Sequence, residues 1–185
     1  ISHLMPRDLS VGDDVRIQIV PVPEEVSTIS VAGSNEVFDA PFVRVRYMSP
    51  VTPTQTVDID VANMDWAVRK QREVPGWDPS KYEVTRVLLP ARDGVMVPVS
   101  ITHLADMELD GTSPMLLYGY GSYGSSMNPY FSITRPSMID RGVVFAVAHV
   151  RGGGELGEQW YLEGKMMNKK NTFKDYIACA DHLIK

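Results

Sequence analysis

Stretches in which apolar and polar residues alternate dominate the first third of the chain. The clearest runs from Phe42 to Met48, and turn-forming residues such as Pro, Gly and Asn separate each stretch from the next. Alternation with a period of two, bounded by turns, is typical of antiparallel strands. We therefore predict strands at residues 15–20, 26–32, 42–48 and 56–61, whose regular spacing suits a sandwich, a barrel or one blade of a propeller.

A different pattern begins near residue 66. Two runs rich in β-branched residues flank Asp93-Gly94, a dipeptide that favours a hairpin turn. Two further apolar runs follow, with a short helix predicted between them at 136–140. The second is nearly continuous, as expected for a strand buried on both faces of a parallel sheet. This order predicts the opening of a mostly parallel, helix-covered α/β sheet with strands at 84–89, 95–102, 115–118 and 143–150.

The last segment has the spacing of an amphipathic helix. Thr172 and Asp175 are three residues apart, as in a capping box. The predicted helix is still running at Lys185, with no Gly, Asn or Pro to stop it. We therefore expect a piece of a longer polypeptide; a helix that frays at a natural terminus is the alternative. The apolar positions at helical spacing are Phe173, Tyr176, Ile177, Ala180, Leu183 and Ile184.

Composition narrows the class of protein. Hydrophobic residues make up 44% and charged residues 22% of the 185, values close to globular averages. The net charge is −5, and neither residues 1–70 nor residues 71–185 are basic enough to indicate nucleic-acid binding. No apolar run approaches the roughly 20 residues that span a bilayer, so we expect no membrane partner. A single cysteine, Cys179, fits a reducing compartment, and we predict a cytoplasmic location.

Two glycine-rich loops follow the two predicted parallel strands. In open α/β sheets, ligands bind beyond the carboxyl ends of the strands, so both loops are candidate sites. Residues 118–124 combine three glycines, which permit backbone conformations closed to other residues, with three tyrosines. Taken alone, these residues fit a binding site and a tight turn with packed tyrosines equally well.

The second loop, residues 151–157, contains the GxGxxG pattern of dinucleotide-binding sites. The pattern is weak here because the preceding strand does not open a βαβ unit and no acidic residue ends a following strand. A glycine turn in which Arg151 and Glu155 pair with neighbours is the simpler interpretation. We expect no metal, because the four histidines and one cysteine show no ligand spacing and His149 suits a structural role.

Ser122 lies in a near match to the GxSxG motif of serine nucleophiles, with Tyr120 in place of the first glycine. That motif requires a sharp turn from a strand into a helix. Asn128 and Pro129 follow here and no helix begins, so we interpret Ser122 as a turn residue.

Several motifs in one order resemble the prolyl oligopeptidase family of serine peptidases, and most of all its oligopeptidase B branch. The resemblance covers residues 56–185 and implies a β-propeller followed by an α/β-hydrolase domain. Residues 1–65 would then be the closing part of the propeller, and residues 66–185 the N-terminal part of the hydrolase domain. The motifs are Tyr118 to Gly124, Asp140-Arg141-Gly142, Ala148 to Gly157, Trp160-Tyr161 and Lys170 to Tyr176.

The resemblance also implies roles for single residues. Tyr120 would donate its hydroxyl to the oxyanion of the tetrahedral intermediate, and Tyr123 would line the substrate channel. Asn128 and Tyr130 would contact substrate at positions where relatives often carry acidic residues for basic peptides. A structural loop of the site would contain Arg151, Gly153 and Glu155.

The implied function is hydrolysis of short peptides through an acyl-enzyme, with cleavage after Arg or Lys, and without cofactor or metal. The catalytic Ser, Asp and His would lie beyond residue 185, so we expect the chain alone to be inactive and to need the remainder of its own polypeptide. The alternatives are a prolyl-specific relative, a non-catalytic peptide-binding module and a dinucleotide-binding domain.

Overall fold

The protein is described here by a computed structural model that covers residues 19–33 and 35–184, which form two four-stranded sheets. The predicted strand at 15–20 lies largely outside the described residues. The predicted strands at 26–32, 42–48 and 56–61 are all present in the first sheet, within two residues of the expected bounds. That sheet contains β1 (Thr28–Val31), β2 (Phe42–Met48), β3 (Gln55–Asp60) and β4 (Trp66–Gln71), in that order and each antiparallel to its neighbour.

Strand β4 extends the first sheet beyond the point at which the sequence pattern changes. Its six residues pair with β3, so the passage from the first sheet to the second falls between Gln71 and Tyr82 and not at residue 66. The core of the sheet is formed by Val45, Tyr47, Val57 and Ile59, with Trp66 packed edge-on against Tyr47 at 5.2 Å.

A buried carboxylate links three strands of the first sheet. Asp58 on β3 accepts hydrogen bonds from Arg44 on β2, at 2.6 and 2.8 Å, and from Arg69 on β4, at 2.7 Å. The hydrogen bond from Arg44 is the largest influence on the pKa of Asp58, which falls to about 2 although burial opposes the shift. Ionised Asp58 therefore joins β2, β3 and β4 through charge-assisted hydrogen bonds.

The second sheet contains β5 (Tyr82–Pro90), β6 (Met96–Leu104), β7 (Met115–Tyr118) and β8 (Val144–Ala148), in the order β5-β6-β8-β7. The predicted hairpin is confirmed, since β5 and β6 are antiparallel around a turn in which Gly94 has a φ of 83°. Strand β8 is antiparallel to β6 and parallel to β7. One of the three ladders among the described residues is therefore parallel, fewer than a mostly parallel sheet would have.

In the described residues, three α-helices accompany this sheet: α1 (Pro136–Ile139), α2 (Glu158–Leu162) and α3 (Lys169–Leu183). The predicted short helix is confirmed as α1, which lies in the crossover from β7 to β8. Alternate residues of β6 and β8 form the buried core together with Trp160 of α2 and Cys179 of α3. They are Val97, Val99, Ile101, Val144, Ala146 and Ala148. None of the helices in the described residues is long and apolar enough to cross a membrane.

Helix α3 differs from its prediction in two ways. It begins at Lys169, and its first turn carries no side-chain cap, so the predicted capping box of Thr172 and Asp175 is wrong. Both side chains instead contact the loop after β8. Phe173 and Ile177, which the helical spacing placed on the buried face, are exposed. Polar Thr172 and Asp175 occupy the buried face because they bond to that loop.

Candidate active site

The loops after β7 and β8 pack directly on one another. The amide of Gly124 donates a hydrogen bond of 3.0 Å to the carbonyl oxygen of Gly152. A Cβ at Gly152 would collide with the carbonyl oxygen of Gly121, and one at Gly154 with that of Gly124. These glycines therefore allow two backbones to approach closely and do not form an open phosphate cradle, which removes the structural basis for a dinucleotide site.

The first loop leaves its central tyrosines uncovered. Tyr120 is 43% exposed, and within residues 19–33 and 35–184 its hydroxyl has no hydrogen-bond partner. Tyr123 is 84% exposed and has a φ of 57°, a conformation that only a small share of non-glycine residues adopt. The alternative in which all three tyrosines pack on the core does not fit these two residues. Within the described residues, the Tyr120 hydroxyl is therefore not used in a hydrogen bond.

Ser122, two residues after Tyr120, does not sit at a strand-to-helix turn. No helix begins between it and α1 at Pro136. Its Oγ accepts a hydrogen bond of 2.7 Å from the ammonium of Lys169 on α3. The interpretation of Ser122 as a turn residue agrees with this geometry.

Arg151, at the start of the second loop, contacts α3, the β5–β6 turn and the residue that follows α2. Its Nε and Nη2 donate to the carboxylate of Asp175 at 2.9 and 2.6 Å, and its backbone amide donates to the same group at 3.1 Å. The guanidinium also lies 2.8 Å from Asp93 in the hairpin turn and 3.8 Å from Glu163. The hydrogen bond to Asp175 raises the pKa of Arg151 above its usual value. Arg151 therefore ties the second loop to α3 and to the hairpin turn.

Glu155 lies over Gly153 and anchors the segment that follows the first loop. Its carboxylate occupies the space that a Cβ at Gly153 would need. Its Oε1 accepts a hydrogen bond of 2.9 Å from the amide of Met127 and lies 3.6 Å from Nδ1 of His149. The other ring nitrogen of His149 is hydrogen-bonded to Ser100 Oγ at 2.9 Å. His149 is buried, and its Nδ1 has no hydrogen-bond partner among the described residues. Glu155 bonds to the start of the segment that carries Asn128 and Tyr130.

A cavity of about 200 Å³ lies on the face of the second sheet opposite α3. Arg135 in its lining is 7% exposed, and its guanidinium carbon lies 5.1 Å from the centre of the Tyr130 ring and 4.4 Å from that of Phe145. Burial lowers the pKa of Arg135. The cavity is lined by Pro50, Ser100, Thr102, Tyr118, Met127, Asn128, Pro129, Tyr130, Arg135, Phe145, Val147 and His149.

The predicted substrate residues thus fall into two groups. Asn128 and Tyr130 line the cavity, whereas Tyr120 and Tyr123 lie on the exposed first loop and are not part of the lining. The sequence analysis missed Arg135, because a single arginine before a proline carries no recognisable signal. It also missed Lys169. No group of three or more His, Cys, Asp or Glu side chains in the described part of the chain is arranged to hold a metal ion.

The second sheet and its loops define the class of protein. A β5-β6-β8-β7 order with a parallel last pair, followed by a glycine-rich loop after the third strand, is the opening of an α/β-hydrolase. The four sequential antiparallel strands before it form a propeller-type blade. The profile described as the prolyl oligopeptidase family matches residues 129–185. The chain belongs to this family of serine peptidases.

Similar proteins support the family assignment over most of the chain. Dipeptidyl aminopeptidase BI of Pseudoxanthomonas mexicana is 50% identical over 145 residues, which are 78% of this chain and 20% of that protein. Protease 2 of Moraxella lacunata is 37% identical over 172 residues, 92% of this chain and 25% of that protein. The chain therefore spans about a fifth to a quarter of the length of these relatives.

Solved structures agree. Oligopeptidase B from Leishmania major superposes with a TM-score of 0.81 at 39% identity, covering 89% of this chain and 23% of that structure. Oligopeptidase B from Trypanosoma brucei with covalently bound antipain also gives 0.81, at 43% identity, covering 89% of this chain and 24% of that structure. The fold class is that of β-propeller strands followed by the opening of an α/β-hydrolase domain.

Proposed function

We propose that this chain is the part of a serine oligopeptidase that supplies one oxyanion donor and part of the peptide-binding surface. The observation that carries the proposal is Tyr120, a 43% exposed residue whose hydroxyl has no hydrogen-bond partner in the described part of the chain. It sits on the loop after the third strand of the hydrolase sheet, the loop that supplies an oxyanion donor in this class of enzyme. The strands up to Gln71 would close the propeller.

The chemistry follows from where charge develops. Attack on a peptide carbonyl places negative charge on its oxygen, and a phenol hydroxyl aimed at that position stabilises the transition state more than the substrate. The second donor would be the amide after the nucleophile. None of the residues described here is assigned as nucleophile or base. The Ser, Asp and His would come from the remainder of the same polypeptide, and the 185-residue chain alone would be inactive.

The substrate would be a short peptide. Tyr123 offers an exposed ring beside Tyr120, and Asn128 and Tyr130 offer an amide and a phenol at the cavity. The lining of this cavity includes Arg135 and no carboxylate, so it does not favour an Arg or Lys side chain. A preference for cleavage after Arg or Lys would therefore depend on acidic residues elsewhere in the polypeptide. A prolyl-type preference is the second candidate because the cavity walls are largely apolar.

Two tyrosine variants of the full-length enzyme test the proposal. Tyr120→Phe should lower kcat roughly 10- to 1000-fold with a smaller change in KM, because the hydroxyl acts on the transition state. Tyr123→Phe should change both constants only slightly, because its ring and not its hydroxyl would contact substrate. Both are measured on one short peptide. Equal and small effects on kcat would remove Tyr120 from the active site and favour a peptide-binding module without catalysis.

A further inference from the structure

We infer that Lys169, the first residue of α3, is a positioning residue. It holds the first loop, residues 118–124, in the geometry that catalysis by Tyr120 requires. The inference rests on the proposed function of Tyr120. Lys169 Nζ donates to the carbonyl oxygen of Gly121 and, at 2.7 Å, to Ser122 Oγ. These two acceptors belong to the residues that directly follow Tyr120, so the ammonium fixes the peptide on one side of the tyrosine.

The loop needs such an anchor because its own conformation is strained. Tyr123, which is not a glycine, has a φ of 57°, and its side chain is 84% exposed. A non-glycine residue in this region costs on the order of 1–3 kcal/mol and persists only when its surroundings impose it. Contacts from outside the loop must therefore set the direction of the Tyr120 side chain.

Besides the packing of the second loop, such contacts come from one face of α3. Lys169, Thr172 and Tyr176 are three and four residues apart, a spacing that places them in line along the helix. Thr172 Oγ1 lies 3.4 Å from the carbonyl oxygen of Gly121, and Tyr176 donates a 2.7 Å hydrogen bond to the carbonyl oxygen of Leu117. Lys169 is the charged member of this set, and its hydrogen bonds are stronger for that reason.

The charge of Lys169 has no carboxylate partner among the described residues. No carboxylate in residues 19–33 or 35–184 lies within ion-pair distance of its ammonium. The nitrogen lies 5.8 Å from the centre of the Phe173 ring, and partial burial lowers the pKa of Lys169. The hydrogen bonds that this partly desolvated ammonium makes in the described residues are both to loop acceptors, so its stabilisation depends on the loop staying in place.

Kinetic constants of the full-length enzyme separate positioning from general stability. Lys169→Ala should lower kcat roughly 10- to 100-fold with KM changed less than about twofold, because a misplaced donor costs transition-state binding. Lys169→Arg should restore most of kcat, since it keeps the charge and donors. Lys170→Ala is the matched control, because Lys170 is the exposed neighbour on the same helix and should leave kcat unchanged. Should Lys169→Ala fail to fold, Lys169→Met keeps the stem without the charge and carries the same expectation.

Inhibitor binding gives a second readout that a structural role would not move. A peptide aldehyde forms a tetrahedral adduct whose oxygen occupies the oxyanion site, whereas the corresponding peptide acid resembles product. Lys169→Ala should weaken the aldehyde by about the factor lost in kcat and leave the acid unchanged. Equal weakening of both, or an unchanged kcat, would overturn the inference.

Two outcomes distinguish this inference from the proposed function. If Tyr120→Phe lowers kcat and Lys169→Ala does not, the positioning role fails and the proposed function stands. If Tyr120→Phe has no effect, the proposed function itself fails. Ser122→Ala should retain at least a third of kcat, because Gly121 still accepts from Lys169. Complete loss in that variant would make Ser122 and Lys169 a nucleophile and base, and would overturn the positioning role.

Discussion

Removal of the Asp175 carboxylate is predicted to be the most damaging single change in α3. Asp175 is 0% exposed and accepts three hydrogen bonds from Arg151, at 2.6, 2.9 and 3.1 Å. In Asp175→Ala, the guanidinium stays buried with Asp93 at 2.8 Å and Glu163 at 3.8 Å, both partly exposed. The charge of Arg151 then keeps its two partly exposed partners and loses its one buried partner.

The magnitude follows from that remaining network. Breaking a buried ion pair by removing one partner typically costs about 3–5 kcal/mol, because an uncompensated charge stays buried. Asp93 still neutralises part of the charge of Arg151, so we expect about 3 kcal/mol. For a cooperative unit of 150–250 residues, each kcal/mol lowers Tm by about 2–4 °C, which gives a decrease of about 6–12 °C. Asp175→Asn keeps acceptor capacity and should lose less.

Differential scanning calorimetry of the full-length protein measures this shift in the hydrolase-domain transition. Asp181→Ala is the matched control on the same helix, because Asp181 is 58% exposed and lies 3.7 Å from the exposed Arg92. Surface pairs of this kind contribute about 0–1 kcal/mol. A Tm for Asp175→Ala within 2 °C or so of that for Asp181→Ala would refute the buried-network argument.

Three further predictions concern the loops and the first sheet. Gly154→Ala should destabilise the protein by roughly 1–3 kcal/mol, because its Cβ meets the carbonyl oxygen of Gly124, whereas Gly33→Ala, with open space around it, should stay within about 0.5 kcal/mol in urea unfolding. The pKa of Asp58 is lowered from 3.8 to about 2, so the stability that its carboxylate provides is present above pH 4 or so and is lost as the pH falls through 2. The urea midpoint of Asp58→Asn should therefore depend less on pH between about 4 and 2 than that of the wild type. Equal pH dependence of the two midpoints would contradict this prediction. The 185-residue chain alone should not react with a fluorophosphonate, and stoichiometric labelling at Ser122 would show that the serine is a nucleophile.

Much of the fold is predictable where one face of an element is buried. The bounds of β2 agree with the prediction because Val45 and Tyr47 are buried while Arg44 and Arg46 point to the other face. The Asp93-Gly94 hairpin is equally clear, since its turn needs a residue with positive φ at a defined position. In both cases the signal lies within a few neighbouring residues.

Strand β4 could not be found in this way. Its last four residues are exposed, so no buried face requires apolar residues at every second position. The run from Trp66 to Gln71 accordingly shows no alternation of apolar and polar residues. An edge strand obtains its stability from backbone pairing with β3 and from the salt bridge of Arg69 with Asp58 at 2.7 Å. Neither partner is visible in the local sequence, and the prediction therefore placed the change of architecture at residue 66.

The partners of the site residues are also invisible in the local sequence. Their spacing matches local motifs, but their side chains bond to residues far away in the chain. Thr172 and Asp175 have capping-box spacing, yet Thr172 donates to the carbonyl oxygen of Arg151 at 2.6 Å and Asp175 binds the same residue's guanidinium. The GxGxxG pattern likewise reflects loop packing on Gly121 and Gly124. Each misread motif is half of a contact whose other half lies more than twenty residues away.

These contacts join the loops after β7 and β8 to the start of α3, so that the three segments are packed together. The loop after β8 is clamped to α3 through Arg151, and the loop after β7 is clamped to it through Lys169. The backbones of the two loops leave no room for a Cβ between them. A change in any one of the three parts must therefore move the others, since packed interiors transmit displacement and do not absorb it. Residues of α3 that never touch substrate are consequently expected to act on the reaction through the position of Tyr120.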